Sequence, residues 1–370
     1  MSKKKIKQPL TKKQKRKKRR KILIIVEVIV LILVVLFLLA WLKFGLIDFN
    51  KLKNIGKNDL DDETIGLLQG YQCIALFGVD NRSNGDYTTG HSDSIMVACI
   101  NNETKEVRVI SLYRDTSLMM NIKNKDMILK CNSAYQNGGP EAALEMLNRN
   151  LDLNIQEYVA VDFNALADVI DDIGGVEIEL TPEECKYMNN VVGDYGGYIG
   201  EVAKVTGKHS DGVAPGLQTL NGVEATAYCR IRSTAGGDFK RAERQRTVMS
   251  QMVNKLKNMS ATQALKLATD DNVLKEISTS LSPSEIAILA KSMRDYSLGA
   301  TTGFPFDKAG YDGGQSKGYL LVPCTLESNV SKLYFFFFNK ENYVPSQEVK
   351  KISKEIVNMT GKTEKSAEPD

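Results

Sequence analysis

Arginine and aspartate recur in short polar motifs that lie far apart along this chain of 370 residues. They are GVDNR at 78–82, HSDS at 91–94, SLYRDT at 111–116, RIR at 230–232 and DFKRAERQR at 238–246. A buried charge needs a partner, and arginines that converge without enough local carboxylates imply a bound anion. Aspartates among them imply a cation such as Mg²⁺. Together they predict a site for a phosphate or pyrophosphate group.

The first three motifs each lie at the end of a predicted strand. Asp80 and Arg82 follow one apolar run, Asp93 precedes a second, and Arg114 and Asp115 follow a third. Ligands of α/β proteins bind in crevices at strand ends, so one sheet can gather these side chains into a pocket. Singly, each has a plainer interpretation, such as a turn residue for Asp80 or a surface ion pair for Arg114 and Asp115. The composition and order of the whole set favour a site.

Further arginines come from a long amphipathic helix predicted at the last motif and from the residues before it. Arg230 and Arg232 lie two positions apart at the end of a shorter predicted helix. Arg241 and Gln245 share one face of the long helix because they are four residues apart, whereas Arg244 points partly elsewhere. A helix C-terminal arginine and a solvated helical face are the plainer alternatives.

Alternating strand-like and helix-like segments predict an α/β sheet covered by helices on both faces. Predicted strands occupy 73–79, 94–100, 107–112, 158–163, 176–180, 319–322 and 333–338, and predicted helices 61–69, 140–150, 164–173, 221–230, 238–258 and 283–293. Residues 181–215 are Gly-rich and predict a long surface loop. The predicted organisation is a basic tail (1–21), a membrane segment (22–42), a stalk (43–70), a compact domain (71–258), a C-terminal extension (259–360) and a disordered tail (361–370).

The apolar run at 22–42, interrupted by Glu27, is long enough to span a bilayer. Residues 1–21 hold thirteen Lys and Arg and no acid, so we expect a retained signal anchor with a cytoplasmic N-terminus and an extracellular C-terminal bulk. Trp41 is expected at the outer interface. When the basic tail and Glu27 are removed from the net charge of +4, residues 43–370 carry −8. This acidic balance argues against nucleic-acid binding by the folded part.

The six cysteines lie far apart with no CxxC pair, and the chain has only two histidines, His91 and His209. A zinc site is therefore not expected. Cys73 and Cys99 lie in apolar strand-like runs and are predicted to be small core residues. A disulfide is compatible with an extracellular domain, but the spacing does not identify a pair.

These motifs resemble those of the LytR–CpsA–Psr family of bacterial cell-wall glycopolymer ligases. The resemblance rests on GVDNR, HSDS, S-x-x-R-D-T at 111–116, KCNSAYQNGG at 130–139, DDIGGVEIE at 171–179, GLQTLNGVEATAYCRIR at 216–232 and DFKRAERQ at 238–245. It implies a mixed central β-sheet with helices on both faces, preceded by one transmembrane helix. It also implies a membrane-anchored transferase of a Gram-positive type bacterium. Such an enzyme moves a glycopolymer from undecaprenyl pyrophosphate to peptidoglycan and releases undecaprenyl phosphate.

The resemblance further implies a role for each motif residue. Mg²⁺ would be held against the pyrophosphate by Asp80 and Asp93. Phosphate oxygens would be bound by Arg82, Arg114, Arg230 and Arg232, with Lys130 as a further phosphate contact, in a pocket also lined by Arg241 and Gln245. The catalytic residues would be Asp93, Arg114 and Asp115, the last by orienting Arg114 or by helping to deprotonate the acceptor hydroxyl. Phosphoryl transfer needs mainly positioning and charge neutralisation, so no Ser or Cys nucleophile is expected.

His91 departs from the family pattern, because many members have arginine at this position. A neutral imidazole would remove one positive charge from the phosphate site, whereas a protonated one would replace it. The alternative is a histidine that only caps the start of a strand.

A lipid carrier requires an apolar groove, for which the helices predicted at 140–150 and 164–173 above the sheet are candidates. The run YFFFF at 334–338 is another, although its pattern favours a buried strand. Two other functions stay open. One is a phosphatase that hydrolyses the lipid pyrophosphate with water, and the other is a non-catalytic regulatory or attenuator protein. Teichoic acid, capsule and other wall polysaccharides are all compatible polymers.

Overall fold

The computed structural model describes residues 47–52, 55–79, 90–189, 197–260, 263, 267, 270–275 and 277–368. Its strands are β1 (Asp48–Phe49), β2 (Tyr71–Val79), β3 (Ser92–Asn101), β4 (Glu106–Leu112), β5 (Ser117–Ile122), β6 (Lys125–Lys130), β7 (Glu157–Val161), β8 (Val176–Leu180), β9 (Gly216–Leu220), β10 (Ile277–Thr279), β11 (Ser297–Phe304), β12 (Lys308–Asp312) and β13 (Tyr319–Pro323).

Its helices are α1 (Asp62–Gln69), α2 (Ser133–Leu151), α3 (Phe163–Asp172), α4 (Pro182–Asn189), α5 (Gly197–Thr206), α6 (Gly222–Tyr228), α7 (Gly237–Asn258), α8 (Asp271–Lys275), α9 (Pro283–Ser292), α10 (Gly314–Lys317), α11 (Leu326–Phe338) and α12 (Gln347–Thr360). None of the helices within the described ranges combines the length and apolar character needed to cross a membrane. The membrane span predicted at 22–42 lies outside those ranges.

Seven of the described strands form one mixed sheet, in the order β1-β10-β7-β2-β3-β4-β11. The central strand β2 pairs parallel to β7 and antiparallel to β3. β4 continues the sheet antiparallel to β3, and β11 closes that side parallel to β4. The mixed sheet and its covering helices confirm the predicted α/β fold.

The two faces of the sheet have different surroundings because successive strand residues point to opposite sides. Ala75 and Phe77 of β2 point into the main hydrophobic core, which they share with α2, α11 and α12. Leu76 between them points the other way and lines a cavity. A second hydrophobic cluster, formed by α3 to α7 with β8 and β9, lies beyond that cavity. The cavity therefore separates the sheet from the second cluster.

The C-terminal part, predicted as an extension from residue 259, is built into the same sheet and core. β10 pairs with β7 on one side of the sheet, and β11 pairs with β4 on the other. Val330 and Leu333 of α11 and Ile352 of α12 are buried in the main core. The compact domain thus extends well beyond residue 258.

The strand predicted at 333–338 is wrong, because these residues form the last turns of α11. Thr325 caps the helix, and its side chain accepts a hydrogen bond from the backbone of Ser328. Leu326, Val330, Leu333 and Phe337 are buried at helical spacing. Four consecutive phenylalanines conceal that spacing, since an unbroken apolar run has no period.

Other predicted irregular segments also contain regular structure. The loop predicted at 181–215 contains α4 and α5, on either side of the undescribed residues 190–196. The stalk contributes β1 and the predicted helix α1, which Asp61 caps. The tail predicted to be disordered contains a 3-10 helix at Glu364–Ser366. The hairpin β5–β6 had no counterpart among the predicted elements.

Cys73 and Cys99, predicted as separate core residues, are joined by a disulfide. They lie directly opposite each other on β2 and β3. The bond therefore links two central strands, one of which leads into the first motif and the other out of the second. The remaining cysteines, Cys131, Cys185, Cys229 and Cys324, are free and buried.

Candidate active site

A cavity of about 900 Å³ lies between the second face of the sheet and helices α3 and α7. Every predicted site residue within the described ranges lines it: His91, Asp93, Arg114, Asp115, Lys130, Arg230, Arg232, Arg241 and Gln245. The other two predicted residues, Asp80 and Arg82, lie outside the described ranges. Motifs that are more than a hundred residues apart in sequence thus meet in one place.

Asp93, at the start of β3, is the centre of the polar end of the cavity. Its two carboxylate oxygens accept hydrogen bonds from Arg114 Nη1 at 2.9 Å and Arg232 Nη2 at 3.0 Å. Its backbone carbonyl accepts a further bond from Arg241 Nη2 at 3.1 Å. Burial alone would raise the pKa of Asp93, but these arginines outweigh burial and hold that pKa below its ordinary value. Asp93 is therefore ionised at neutral pH.

Asp238, in the first turn of α7, is a second carboxylate in the same cluster. It accepts hydrogen bonds from Arg114 Nε at 3.1 Å and Arg241 Nη2 at 3.2 Å, and it lies 3.7 Å from Arg232 Nε. Sequence reasoning did not assign it to the site. The available signal was its position three residues before Arg241, which places both on one helix face.

Four cations (Arg114, Arg232, Arg241 and Lys130) share three carboxylates (Asp93, Asp115 and Asp238), so one positive charge is uncompensated among the described residues. Arg241 is only 4% exposed. Its Nε and Nη1 atoms are buried without a hydrogen-bond partner within the described part of the chain. Burial, with the nearby charges of Arg232 and Arg114, lowers the pKa of Arg241 to about 10 despite the opposing effect of Asp238. An anion at this position would satisfy both the charge and the two N–H donors.

Asp115 and Lys130 form an ion pair beside this cluster. Lys130 Nζ lies 2.8 Å from one Asp115 oxygen, and Arg114 Nε lies 3.8 Å from the other. Lys130 ends β6, and Asp115 follows β4. Lys130 and Arg114 thus hold the Asp115 carboxylate in position in the cavity wall.

Arg230 also lines the cavity, but its ion-pair partner is Glu201. Its Nη2 atom donates to Glu201 at 3.1 Å, and its guanidinium lies 4.7 Å from the ring centroid of Phe163. Glu201 belongs to α5, in the region predicted to be a loop, so the sequence did not indicate this contact. Gln245 Nε2 donates weakly to the carbonyl of Cys229 at 3.4 Å.

Close packing fixes the segment that carries Arg230 and Arg232. Helix α6, which precedes them, begins at Gly222, where a Cβ atom would collide with the carbonyl oxygen of Ala167 in α3. Asn221 caps the helix and Glu224 completes a capping box. Contact at this distance is possible only with glycine, so α6 and the arginines after it are held against α3.

Arg244, expected to point partly elsewhere, does not line the cavity and instead stabilises the fold. It is buried and bonds to Glu184 Oε1 at 2.8 Å, the carbonyl of Ile231 at 3.2 Å and Thr234 Oγ1 at 2.7 Å. Arg241 and Arg244 are therefore buried arginines on one helix with different surroundings. The first has unsatisfied donors, and the second is fully paired.

The remaining wall of the cavity is apolar. It is formed by Leu76 and Val79 of β2, Met96 of β3, Val159 and Val161 of β7, Phe163 and Leu166 of α3, and Val248, Met249 and Met252 of α7. From Arg241 to Met252, eleven residues of helix span about 16 Å. The predicted groove-forming helix at 164–173 contributes to this wall, whereas the helix at 140–150 does not. One cavity thus joins a charged end to a long apolar surface.

His91 lines the cavity and is exposed. The described carboxylates that line the cavity are Asp93, Asp115, Asp162 and Glu201. No group of three or more His, Cys, Asp or Glu side chains within the described ranges is arranged to hold a metal. Mg²⁺ is usually held by one or two carboxylates together with phosphate oxygens. The donor set fits an ion shared with a bound phosphate group.

Comparison with known proteins gives a consistent match. The LytR_cpsA_psr family model matches residues 49–301. The polyisoprenyl-teichoic acid–peptidoglycan teichoic acid transferase TagV of Bacillus subtilis (strain 168) is 27% identical over 217 residues, which are 57% of this chain and 50% of that protein. The chain spans about half to two thirds of the length of the curated relatives it matches.

Solved structures share the fold at low sequence identity. The crystal structure of a Streptococcus agalactiae protein has a TM-score of 0.61 at 21% identity and covers 79% of this chain and 95% of that one. The structure of the LytR-CPS2A-psr family protein YwtF (TagT) with bound octaprenyl pyrophosphate lipid has a TM-score of 0.50 at 18% identity. It covers 85% of this chain and 99% of that one.

Proposed function

Because the chain belongs to the LytR–CpsA–Psr family, we propose that it is a membrane-anchored transferase. It moves a glycopolymer from a polyprenyl pyrophosphate carrier, of which undecaprenyl pyrophosphate is the expected form, to peptidoglycan. The observation that supports this most is the single cavity in which an arginine-rich end adjoins a long apolar wall. A polyprenyl pyrophosphate has the matching chemistry, since its anionic head and hydrocarbon tail need opposite surroundings.

The charged end suits a pyrophosphate because its donors are already in place. Arg114, Arg232 and Arg241 converge on two carboxylates, and Arg241 keeps two N–H groups without a described partner. Guanidinium groups bind phosphate oxygens bidentately. Pyrophosphate oxygens would replace part of the hydrogen bonding to Asp93, so that the arginines turn from it to the ligand.

In the proposed reaction, an acceptor hydroxyl attacks the phosphorus nearest the sugar. The bond from that phosphorus to the bridging oxygen breaks, and polyprenyl phosphate leaves with the electron pair. Asp115 takes the hydroxyl proton, while Lys130 and Arg114 hold its carboxylate in position. The arginines stabilise the charge that develops on the transferred phosphate and the leaving group.

The chain's own thiol in the cavity does not suit a nucleophile. Burial raises the pKa of Cys229 to about 12, so its thiol is protonated at neutral pH. Direct attack by the acceptor therefore suits the cavity better than a covalent enzyme intermediate. Mg²⁺, if it is bound as we propose by Asp93 together with Asp80, would supply further neutralisation of the pyrophosphate charge.

The test is transfer by the full-length protein in lipid vesicles, supplied with a fluorescent polyprenyl-pyrophosphate-linked saccharide and peptidoglycan fragments. We expect label covalently attached to the fragments, and we expect Arg114→Ala and Arg232→Ala to lower the rate at least about a hundredfold. Lys240→Ala is the matched control, because this cation lies on α7 but is exposed and paired with Glu243. It should retain wild-type transfer.

The same assay separates the alternatives. Release of phosphorylated saccharide and polyprenyl phosphate without attachment to peptidoglycan would identify a phosphatase. Binding of the lipid without any cleavage would identify a regulatory protein. Normal attachment by both cavity variants would overturn the roles given to these arginines.

A further inference from the structure

The hairpin of β12 and β13 lies against the segment that carries Arg114 and Asp115. The backbone N–H of Leu321 in β13 donates to the carbonyl oxygen of Asp115 at 2.9 Å, and Leu321 forms a parallel bridge with Thr116. In the proposed reaction Asp115 takes the proton of the acceptor hydroxyl. Side chains that this hairpin presents to solvent therefore lie close to the place where the acceptor must arrive.

One face of the hairpin is turned towards the charged end of the cavity. Tyr319 of β13 shares this face with Lys308 of β12, because side chains alternate along each strand and paired residues lie on the same side. The Lys308 Nζ atom lies 5.6 Å from the ring centroid of Tyr113 and 5.1 Å from that of Phe239. Each of these rings belongs to a residue adjacent in sequence to a member of the charged cluster.

Tyr319 is an exposed aromatic residue on that face, with 54% of its surface accessible. Gly310 on the neighbouring strand makes room for its ring, since a Cβ atom there would lie 3.1 Å from Tyr319 Cε2. Burial of part of the ring raises the pKa of Tyr319, and the carboxylates of Glu368, Asp115 and Asp238 raise it further. The ring thus rests on the hairpin, is partly open to solvent and has carboxylates nearby.

Asn132 is a polar residue of the cavity to which the proposed reaction gives no role. It is 7% exposed, and its Oδ1 atom is buried without a hydrogen-bond partner in the described part of the chain. Asn132 precedes α2, yet its side chain makes no capping hydrogen bond, the role for which asparagine is favoured there. Its backbone N–H donates to the carbonyl oxygen of Arg114 at 3.2 Å. Asn132 and Leu321 therefore both bind the backbone of the segment that carries Asp115.

The groups around Asp115 suit a sugar better than a second phosphate. Carboxylate and amide oxygens accept hydrogen bonds, and phosphate oxygens, which are also acceptors, cannot pair with them. Sugar hydroxyls can donate to such oxygens. A pyranose ring also has an apolar C–H face, which the electron-rich face of an aromatic ring attracts. An exposed tyrosine and an unpaired amide oxygen near one carboxylate thus match the two kinds of surface on a saccharide.

We propose that Tyr319 and Asn132 form a subsite for the acceptor saccharide, in which a sugar ring of the peptidoglycan acceptor stacks on Tyr319 and an acceptor hydroxyl donates to Asn132 Oδ1. This inference rests on the proposed transferase function. It gives donor and acceptor separate surfaces, because the apolar wall on α7 takes the lipid of the donor and the hairpin takes the acceptor.

Steady-state transfer by the full-length protein in vesicles separates the two substrates. Tyr319→Ala and Asn132→Ala should each raise KM for peptidoglycan fragments roughly tenfold and leave KM for the lipid donor unchanged. Tyr319→Phe should keep the wild-type KM for the fragments, because it keeps the ring. Phe335→Ala is the matched control, since Phe335 is an aromatic residue that is 56% exposed on α11. It should change neither KM.

A binding measurement tests the subsite without the reaction. Tyr319→Trp in a Trp41→Phe background contains a single tryptophan. Its emission should change when peptidoglycan fragments are added without donor, and Asn132→Ala in the same background should shift this titration to roughly tenfold higher concentration. If the wild type transfers nothing but the titration is as expected, the proposed reaction fails and the saccharide subsite stands.

Two results would overturn the subsite. The first is an unchanged KM for the fragments in both alanine variants, together with no change in emission. The second is a rise in KM for the lipid donor alone in Tyr319→Ala, which would show that the ring contacts the saccharide of the donor instead.

Discussion

The two buried arginines of α7 should respond in opposite ways to the same substitution. Arg241 and Arg244 are 4% and 6% exposed, respectively. Arg241 has two buried N–H groups without a described partner, whereas every nitrogen of Arg244 donates to Glu184, Ile231 or Thr234. Replacement by methionine keeps most of the volume and removes the charge. The comparison therefore separates a charge held for a ligand from a charge held for the fold.

The expected change in the free energy of unfolding follows from the electrostatics around each arginine. Arginine has an ordinary pKa of 12.5, and the lowering to about 10 at Arg241 corresponds to about 3 kcal/mol against its charged form. Because the folded-state pKa is depressed, this cost is present at every pH below about 10. Arg241→Met should thus raise the free energy of unfolding by about 1–3 kcal/mol, after allowing for the lost bonds to Asp238 and Asp93. Arg244→Met should lower it by about 3–5 kcal/mol, because Glu184 becomes an unpaired buried charge.

The assay pairs urea unfolding of the apo protein with transfer by the vesicle-bound protein. Arg241→Met should lose at least about a hundredfold in transfer while gaining stability, since two charge-assisted hydrogen bonds to phosphate contribute about 3–6 kcal/mol. Arg244→Met should lose stability, and its residual folded fraction should remain active. If Arg241→Met is as destabilised as Arg244→Met, or if it transfers at the wild-type rate, then the surplus charge in the cavity is not a ligand site.

Three further predictions concern other parts of the molecule. If His91 contacts phosphate, His91→Ala should raise KM for the lipid donor and His91→Arg should restore it. Equal KM values for the wild type and both variants would reject the contact. Met249→Trp should fill part of the apolar end of the cavity, so that KM rises for long polyprenyl donors but not for short ones. An equal rise in KM for both donors would show that the lipid tail does not lie along α7. Alkylation of the unfolded, unreduced protein should modify four cysteines; modification of all six would exclude the disulfide. Replacing Cys73 and Cys99 by alanine should lower the free energy of unfolding by about 3 kcal/mol.

Much of the charged site could be predicted because its residues follow or precede strands. Asp93, Arg114 and Asp115 had to meet once β3 and β4 paired, since the ends of neighbouring strands share one edge of a sheet. Arg241 and Gln245 could be added from helical spacing alone. Asp238 was missed because an acidic residue in the first turn of a helix has a common alternative role toward the helix dipole.

The parts that the sequence predicted wrongly are those where local pattern is weak and tertiary contacts decide. The helix that contains Phe335 to Phe338 has no periodicity in its last turns, and only the burial of Tyr334 and Phe337 against the main core reveals it. Glu201 could not be assigned to Arg230, because a glycine-rich stretch predicts a loop and the contact depends on α5. The Cys73–Cys99 pairing required the register of β2 and β3, which composition does not supply.

The strand order of the sheet also affects how the chain folds during its synthesis. β10 and β11 lie more than 270 residues from the N-terminus, yet they complete the two sides of a sheet whose centre is formed by β2 and β3. Folding dominated by such distant pairings is slow, because long loops must close before the contacts that stabilise them exist. A nascent chain that has reached only α8 exposes open backbone on β7 and β4, where another copy can add a strand. Until β10 and β11 have been synthesised, the nascent chain can therefore associate with another copy through the open sides of its sheet.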